Sequence, residues 1–425
     1  MSEVVSRLVQ DIALPKMVRA RQVFARPKIE VEDIPTAIRG ILSEDAFSRQ
    51  VKPGMRIAVT AGSRGIANVA LITKAIVDFC KERGALPFVF PAMGSHGGAT
   101  AQGQLEILQS YGITQQYLGC PIHSSMQAVL IGHTDEGQPV YIDKYAAQAD
   151  GIIISCRVKP HTCFRGPYES GIMKMLAIGL GKQEGAQICH SAGFGRMARY
   201  VPLFGRAVLR QANILFALAS IENAYDETYR LEGVRTEDVE SVEPALLKDA
   251  FGHMPRILID ECDLLIVDRI GKNYSGDGMD PNITGTFCTP YASGGIKSQT
   301  VAVLGLSPES HGNAMGVGMA SATTRRLYQQ MDFAATYPNA ITCKVSQSSK
   351  LPMVMDNDRQ AIQVCLHFCE GINWDSPRIV RIQNSLHLEY IHISQALLGQ
   401  AARTVGLEIL SEPEPFSFDE NGNLY

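Results

Sequence analysis

Hydrophobic residues along the chain follow the two spacings that distinguish buried strands from amphipathic helices. Short, largely apolar runs predict strands at 55–60, 86–91 and 151–156. Amphipathic patterns predict helices at 68–83 and 101–111, each following one of the first two runs. A glycine-containing loop joins each strand to its helix. This repeated order of strand, loop and helix is typical of an α/β fold with a mainly parallel sheet.

The third apolar run leads into a further helix. Ser170 is a predicted N-cap, and Gly179 or Gly181 is a predicted end. These signals predict a helix over 171–180 that carries Lys174 near its middle.

The second half of the chain repeats the alternation of strands and helices after a predicted domain boundary near 252–255. We interpret 191–247 as mainly helical, including the apolar run at 214–221. Beyond the change, the pattern predicts strands at 262–268, 300–304, 340–345 and 379–382 and a helix at 358–369. The sequence therefore predicts two α/β domains with mainly parallel sheets, at 1–254 and 255–425, and an active site in the cleft between them.

Composition narrows the class of protein. The 425 residues are 45% hydrophobic and 19% charged, without an apolar run long enough to cross a membrane. A net charge of −4 without a concentrated Lys/Arg run argues against a nucleic acid or a membrane as the main partner. The start lacks a signal-peptide pattern, and the ten cysteines include no C-x-x-C pair. We therefore expect a cytoplasmic protein with reduced thiols.

Residues able to do chemistry follow the first three predicted strands. Since the carboxyl ends of parallel strands meet at one edge of a sheet, we expect their loops to converge and to bind a ligand there. The loop residues in question are Gly62, Ser63, Arg64, His96, Lys159 and His161.

Two further residues lie downstream, Lys174 and His190. Lys174 has small or apolar neighbours at helical spacing, so its face of the helix should be packed, and burial would make its amine more nucleophilic. Each candidate also has an ordinary explanation when taken singly. The Arg64 loop could be an ordinary tight turn, and His96 could be a hydrogen-bonded turn residue. Lys174 could extend to water, and His190 could cap its helix.

Taken together, the motifs resemble the nickel-pincer-nucleotide-dependent lactate racemase family, of which this chain looks like a divergent member. The resemblance rests on the order Lys159-Pro160-His161, Gly171-Ile172-Met173-Lys174 and then His190, after the Arg64 and His96 loops, and it spans about 55–195. It implies that Lys174 holds a pyridinium mononucleotide through a thioamide bond and that His190 completes the coordination of nickel.

The resemblance also implies roles for the remaining residues. His96 and His161 look like paired acid/bases on opposite sides of the substrate. Arg64, with Ser63 and Gly62, resembles the loop that contacts cofactor or substrate, and Lys159 lies next to the catalytic histidine. From the second domain, Lys297 is a candidate for cofactor contact.

The implied function is that of a racemase or epimerase of a 2-hydroxy acid. Hydride would leave the α carbon for the cofactor and return to the other face of a 2-keto acid, while the two histidines exchange the hydroxyl proton. The implied partners are a small 2-hydroxy acid and the enzymes that make the cofactor.

The sequence departs from the family pattern at several positions. Ala61 stands where the family has an acidic residue, and Gly97 stands where it has an arginine. The aromatic-Gln and lysine pattern of the second domain is also missing. We therefore expect a substrate other than lactate, such as a sugar acid or a dicarboxylate, with Arg157 or Arg165 in place of the missing carboxylate clamp.

Two other functions fit the same residues. One is a zinc-dependent hydrolase with His96, His161 and His190 as metal ligands. The other is a non-catalytic protein that binds a nucleotide or a sugar acid on the same scaffold.

Overall fold

The computed structural model describes residues 3–63 and 65–424. Its strands are β1 (Met17–Gln22), β2 (Arg56–Ala61), β3 (Leu86–Pro91), β4 (Ala128–His133), β5 (Pro139–Asp143), β6 (Gly151–Arg157), β7 (Ile214–Glu222), β8 (Thr228–Arg235), β9 (Glu261–Val267), β10 (Lys297–Val303), β11 (Ala322–Thr324), β12 (Met353–Met355), β13 (Ile379–Ile382), β14 (Tyr390–Ser394) and β15 (Leu407–Ile409).

The α-helices alternate with these strands. They are α1 (Glu3–Val9), α2 (Ile34–Ser43), α3 (Asp45–Ser48), α4 (Val69–Glu82), α5 (Ala101–Ser110), α6 (Gln115–Leu118), α7 (Lys144–Ala147), α8 (Ile172–Lys174), α9 (Lys182–Ser191), α10 (Met197–Gln211), α11 (Val239–His253), α12 (Pro281–Thr284), α13 (Arg325–Gln330), α14 (Phe333–Cys343), α15 (Asp358–His367) and α16 (Leu398–Ala401). None of the helices in the described ranges combines the length and the apolar composition that a membrane crossing requires.

The chain divides into two compact units, and the first comprises residues 26–254. Its main sheet has the order β3-β2-β6-β7-β8, in which only β8 runs antiparallel to its neighbour. The interior strands β2 and β6 are almost entirely buried because apolar residues occupy both of their faces. Helix α4 covers the sheet with buried residues at helical spacing, among them Ile72, Ile76 and Cys80.

The second unit comprises residues 255–425 together with residues up to Ala25. Its sheet has the order β12-β11-β10-β9-β13-β14-β1-β15. The strands from β12 to β13 are parallel to one another, and β14, β1 and β15 pair antiparallel. The prediction of α/β architecture with mainly parallel sheets is therefore confirmed.

Three details of the sequence interpretation require correction. The N-terminal segment was expected in the first domain, but β1 pairs with β14 and β15 and belongs to the second unit. The run at 214–221 is a strand, because an apolar run buried on both faces carries no period that separates strand from helix. The predicted strand at 340–345 is instead the end of α14, whose start Asp332 caps by accepting the N–H groups of Ala334 and Ala335.

Candidate functional site

The candidate site lies at the carboxyl edge of the parallel sheet in the 26–254 unit. The loops that follow β2, β3 and β6 begin at this edge and carry Ser63, His96 and His161 respectively. Parallel strands bring successive loops to one edge, so the expected convergence follows directly from the strand order. Arg64, which was predicted to contact cofactor or substrate, lies outside the described residues.

His161 is held in place by its own loop. Its backbone N–H donates to Oε2 of Glu169 at 2.7 Å, and its carbonyl accepts a hydrogen bond from Arg165 at 2.7 Å. The N–H of Cys163 donates to Nδ1 of the imidazole at 3.0 Å. In neutral His161 the proton therefore resides on Nε2. The residue is 9% exposed, and its ring packs on Phe164 with centroids 4.5 Å apart.

Glu169 is the anchor of that loop. Its carboxylate also accepts the N–H of Gly166 at 3.2 Å and pairs with Arg165 at 3.3 Å. Burial raises the pKa of Glu169 above its ordinary value, and these donors act in the opposite direction. The ends of the loop meet where Lys159 and Ser170 exchange two backbone hydrogen bonds, of 2.9 and 3.2 Å.

Lys174 ends a short helix that is continuous with a wider turn. Helix α8 passes into a π-helical segment, Met175–Gly179, in which Leu180 N–H donates to the Met175 carbonyl at 2.9 Å. Insertions of this kind are frequent at functional sites. The predicted helix over 171–180 therefore exists, but its second half is π-helical.

The start of this helix is capped by a residue from a distant helix. Glu243 on α11 accepts the N–H of Met173 at 2.9 Å. Its side chain is buried, and burial raises its pKa to about 7. A side chain at Gly171 would lie 2.2 Å from Oε1 of Glu243, so only glycine leaves room for this carboxyl group.

His190 lies near the end of α9, close to Lys174. Burial, and secondarily the positive charge of Lys174, lower the pKa of His190 to about 4. Its imidazole is therefore neutral near pH 7 and offers a nitrogen lone pair. The ring of Phe194 lies 5.9 Å from that of His190 and 5.9 Å from that of His161, between centroids. This aromatic residue thus links the two histidines.

His96 occupies a loop folded against neighbouring helices. Its Nδ1 hydrogen-bonds the hydroxyl of Ser63, and the Ser63 carbonyl accepts from the hydroxyl of Tyr111 at 3.1 Å. Gly94 N–H donates to the Gly179 carbonyl at 3.2 Å, which ties the His96 loop to the segment following Lys174.

The other predicted site residues differ in how well their positions suit a ligand. Gly62 is next to Ser63, and a side chain there would come within 3.6 Å of Met175. Lys159 contributes the backbone pairing described above. Lys297 is exposed at the amino end of β10 in the other unit, and its role as a candidate for cofactor contact stays a prediction.

The arginines proposed as a substrate clamp are engaged inside the protein. Arg157 pairs with Glu222, and Arg165 pairs with Glu169. Glu222 additionally accepts the N–H of Ala67 at 2.6 Å and so fixes the end of the first loop. The structure therefore does not support Arg157 or Arg165 as a carboxylate clamp.

The departure at Gly97 has a structural cause. This residue has a φ of +67°, and a Cβ atom there would lie 2.7 Å from the backbone nitrogen of Gln104. An arginine at this position would require a different loop. Ala61, the other departure, is buried as the last residue of β2.

Several site-supporting residues were not identified from the sequence. They are Glu169, Phe194, Glu222 and Glu243. All but Glu169 act through contacts with residues that are distant along the chain or on another element. Of these only Glu169 offered a signal, since an acidic residue lies inside the short loop that carries His161.

The nitrogen donors of the site bear on the two metal-dependent functions. An amine and a neutral imidazole lie close together at Lys174 and His190, and imidazole is a suitable ligand for nickel. These residues fit a lysine-held nickel cofactor. A zinc tripod would need ring nitrogens of His96, His161 and His190 in mutual proximity, and within the described ranges these three do not form a group with all ligand atoms within 4.8 Å.

Comparison with known proteins identifies related sequences and folds. Residues 5–199 match the family model of the lactate racemase N-terminal domain. The solved structure of the lactate racemase apoprotein from Thermoanaerobacterium thermosaccharolyticum is similar, with a TM-score of 0.51 and 13% identity, covering 86% of this chain and 94% of that chain. At this identity the likeness concerns the fold. No curated protein sequence matches this chain.

Proposed function

Because residues 5–199 match the lactate racemase N-terminal domain and the fold is similar to that of a lactate racemase, we propose that this chain is a divergent member of that family and an isomerase that inverts the α carbon of a 2-hydroxy acid. The observation that carries the proposal is the grouping of Lys174, His190 and His161 around one sheet edge, with Phe194 in contact with both histidines. The departures from the family pattern favour a substrate other than lactate, such as a sugar acid or a dicarboxylate.

In the proposed assignment, Lys174 holds a nickel-pincer nucleotide and His190 contributes an imidazole to its nickel. When bound, this group would supply a reversible hydride acceptor, so that no carbanion would have to form at the α carbon. The low pKa of His190, about 4, keeps its nitrogen unprotonated for this purpose near neutral pH. The enzyme would depend on a cell that makes the cofactor.

His161 and His96 would exchange the hydroxyl proton of the substrate. Because Nδ1 of His161 accepts the Cys163 N–H, Nε2 is the atom that would give or take this proton. His96 uses Nδ1 toward Ser63, so Nε2 is again the proton-transferring atom. A positioned acid or base of this kind contributes roughly 10²- to 10⁴-fold in rate.

The proposal is tested on protein produced with the cofactor-making enzymes. Peptide mass mapping should find an adduct on Lys174, and elemental analysis should find nickel. Lys174→Arg should lose the adduct. His161→Gln and His96→Gln should keep it but lose turnover by roughly 10²-fold or more.

Other outcomes would favour other functions. Zinc without lysine modification would favour the hydrolase. An adduct-free protein that binds nucleotides or sugar acids without turning them over, even when produced with the cofactor-making enzymes, would favour the binding protein.

A further inference from the structure

A lysine that the proposed function does not use is fully buried beside the candidate site. Lys182, the first residue of α9, has no exposed surface and adopts a left-handed φ of +54°. Its Nζ donates to the Pro91 carbonyl at 2.8 Å and to Oε1 of Gln104 at 2.6 Å. Oδ2 of Asp143, also fully buried, lies 3.6 Å away. A buried ammonium is costly unless it is hydrogen-bonded and paired with an opposite charge. Here two oxygens accept from Nζ, and the Asp143 carboxylate lies nearby as the counter-charge.

Gln104 connects this ammonium to the loop of His96. The Gln104 side chain is fully buried on α5, and its Nε2 donates to the carbonyls of Gly94 and His96, at 3.0 and 3.1 Å. An ammonium has donors only, so it requires the oxygen of the amide to face Lys182. The amide nitrogen must then face the loop. Lys182 thereby fixes the orientation in which Gln104 holds His96.

The loop is also packed closely on the helix that carries Gln104. A Cβ atom at Gly103 would lie 2.2 Å from the Gly97 carbonyl oxygen, so the two glycines allow the backbones to touch. The loop therefore has little room to shift while the Gln104 hydrogen bonds hold. Loss of those bonds would leave the carbonyls of Gly94 and His96 without the donor that Gln104 provides.

We propose that Lys182 and Gln104 are positioning residues for His96. Through two hydrogen bonds to the loop backbone, they hold the imidazole against Ser63 and at the point where it exchanges a proton. The inference rests on the proposed function only in assigning that proton exchange to His96. Displacement of an acid/base group by about 1 Å can cost on the order of 10²-fold in rate, so the effect on catalysis should be large.

Gln104→Glu is the sharpest perturbation. A glutamate has nearly the same volume and still accepts from Lys182, but an ionised carboxylate cannot donate to the Gly94 and His96 carbonyls. Lys182→Met removes the ammonium that orients the Gln104 amide. Asp143→Asn is the matched control, because Asp143 touches the ammonium but not the loop, and its Oδ1 caps α7 through Tyr145 N–H at 2.7 Å.

Two measurements on the cofactor-free, full-length protein need no turnover. Amide hydrogen exchange should become at least tenfold faster across 94–100 in Gln104→Glu and Lys182→Met, and stay unchanged in Asp143→Asn. Histidine ¹⁵N spectra, assigned with His96→Gln, should lose the Nδ1 shift that marks the Ser63 hydrogen bond in the first two variants only.

A third measurement uses cofactor-loaded enzyme. In Gln104→Glu, kcat should fall at least tenfold with KM nearly unchanged, and adduct formation at Lys174 should persist. Wild-type exchange and an unchanged His96 signal in folded Gln104→Glu would overturn the positioning role. Faster exchange with unchanged kcat would overturn it as well. A wild-type protein that inverts no 2-hydroxy acid would instead count against the proposed function, while the spectra would still decide whether Gln104 positions His96.

Discussion

Replacing Glu243 by glutamine should remove a large pH dependence of stability from the unit that carries the candidate site. The carboxyl group is 1% exposed and accepts the N–H of Met173 at 2.9 Å. Within the described chain, its Oε1 has no hydrogen-bond partner. Ionising such a group is unfavourable because the surrounding protein replaces water poorly, and burial is accordingly the main cause of its raised pKa.

The magnitude follows from the shift in pKa. The value rises from 4.5 to about 7 on folding, and each pKa unit corresponds to about 1.4 kcal/mol. Between these pH values the native state holds the proton more tightly than the unfolded state. The contribution of Glu243 to the free energy of unfolding is therefore fully present below pH 4.5. It is lost as the pH rises through 7, for a total of about 3 kcal/mol.

The assay is urea unfolding from pH 4.5 to pH 8, with pulse-labelled amide exchange of β6 and β7 reporting on the 26–254 unit. Relative to Glu243→Gln, the wild-type free energy of unfolding should fall by about 3 kcal/mol over this range. Glu240→Gln is the control, since Glu240 lies on the same helix but is exposed and pairs with Arg206 at 2.7 Å. It should retain the wild-type profile. A constant difference in the free energy of unfolding between wild type and Glu243→Gln across the range would show that Glu243 does not cause this pH dependence.

Two further predictions concern the loops of the site. Glu169→Gln keeps an acceptor for His161 N–H but removes the charge shared with Arg165, so the free energy of unfolding by urea should fall by about 2 kcal/mol; a loss below about 0.5 kcal/mol would contradict an anchoring role. Gly97→Ala should cost about 3 kcal/mol, because a positive φ is combined with a backbone clash, whereas Gly98→Ala, with a φ of +63° and open space, should cost only about 1 kcal/mol. Equal thermal unfolding temperatures for these two variants would show that the loop is not packed on α5 as described.

Local patterns predicted much of the fold around the site. The runs that became β2, β3 and β6 are short and apolar, and α4 has a clear amphipathic period, so the mainly parallel sheet and the positions of its loops could be predicted. Where local signals were ambiguous, the prediction was wrong. The run at 214–221 has no period, and the β-branched residues near 341–345 suggested a strand although a capped helix covers most of them.

Contacts between distant residues could not be predicted from one sequence. Glu243 meets Met173 across 70 positions, and Lys182 meets Gln104 across 78. Nothing in the neighbourhood of either charged residue distinguishes it from one that faces water. Similarly, β1 joins the second unit by pairing with a strand more than 360 positions away, which no local period reveals. The burial of Glu243 and Lys182 could therefore be recognised only in the folded structure.

We propose that this chain inverts a 2-hydroxy acid by moving hydride from and to the α carbon. The most direct measurement gives cofactor-loaded protein a panel of 2-hydroxy acids deuterated at that carbon, in ordinary water, and follows the label in the inverted product. We expect inversion with the deuterium retained. Inversion in which the deuterium is replaced by hydrogen from water would contradict it, because the proton would then have exchanged with solvent through a carbanion.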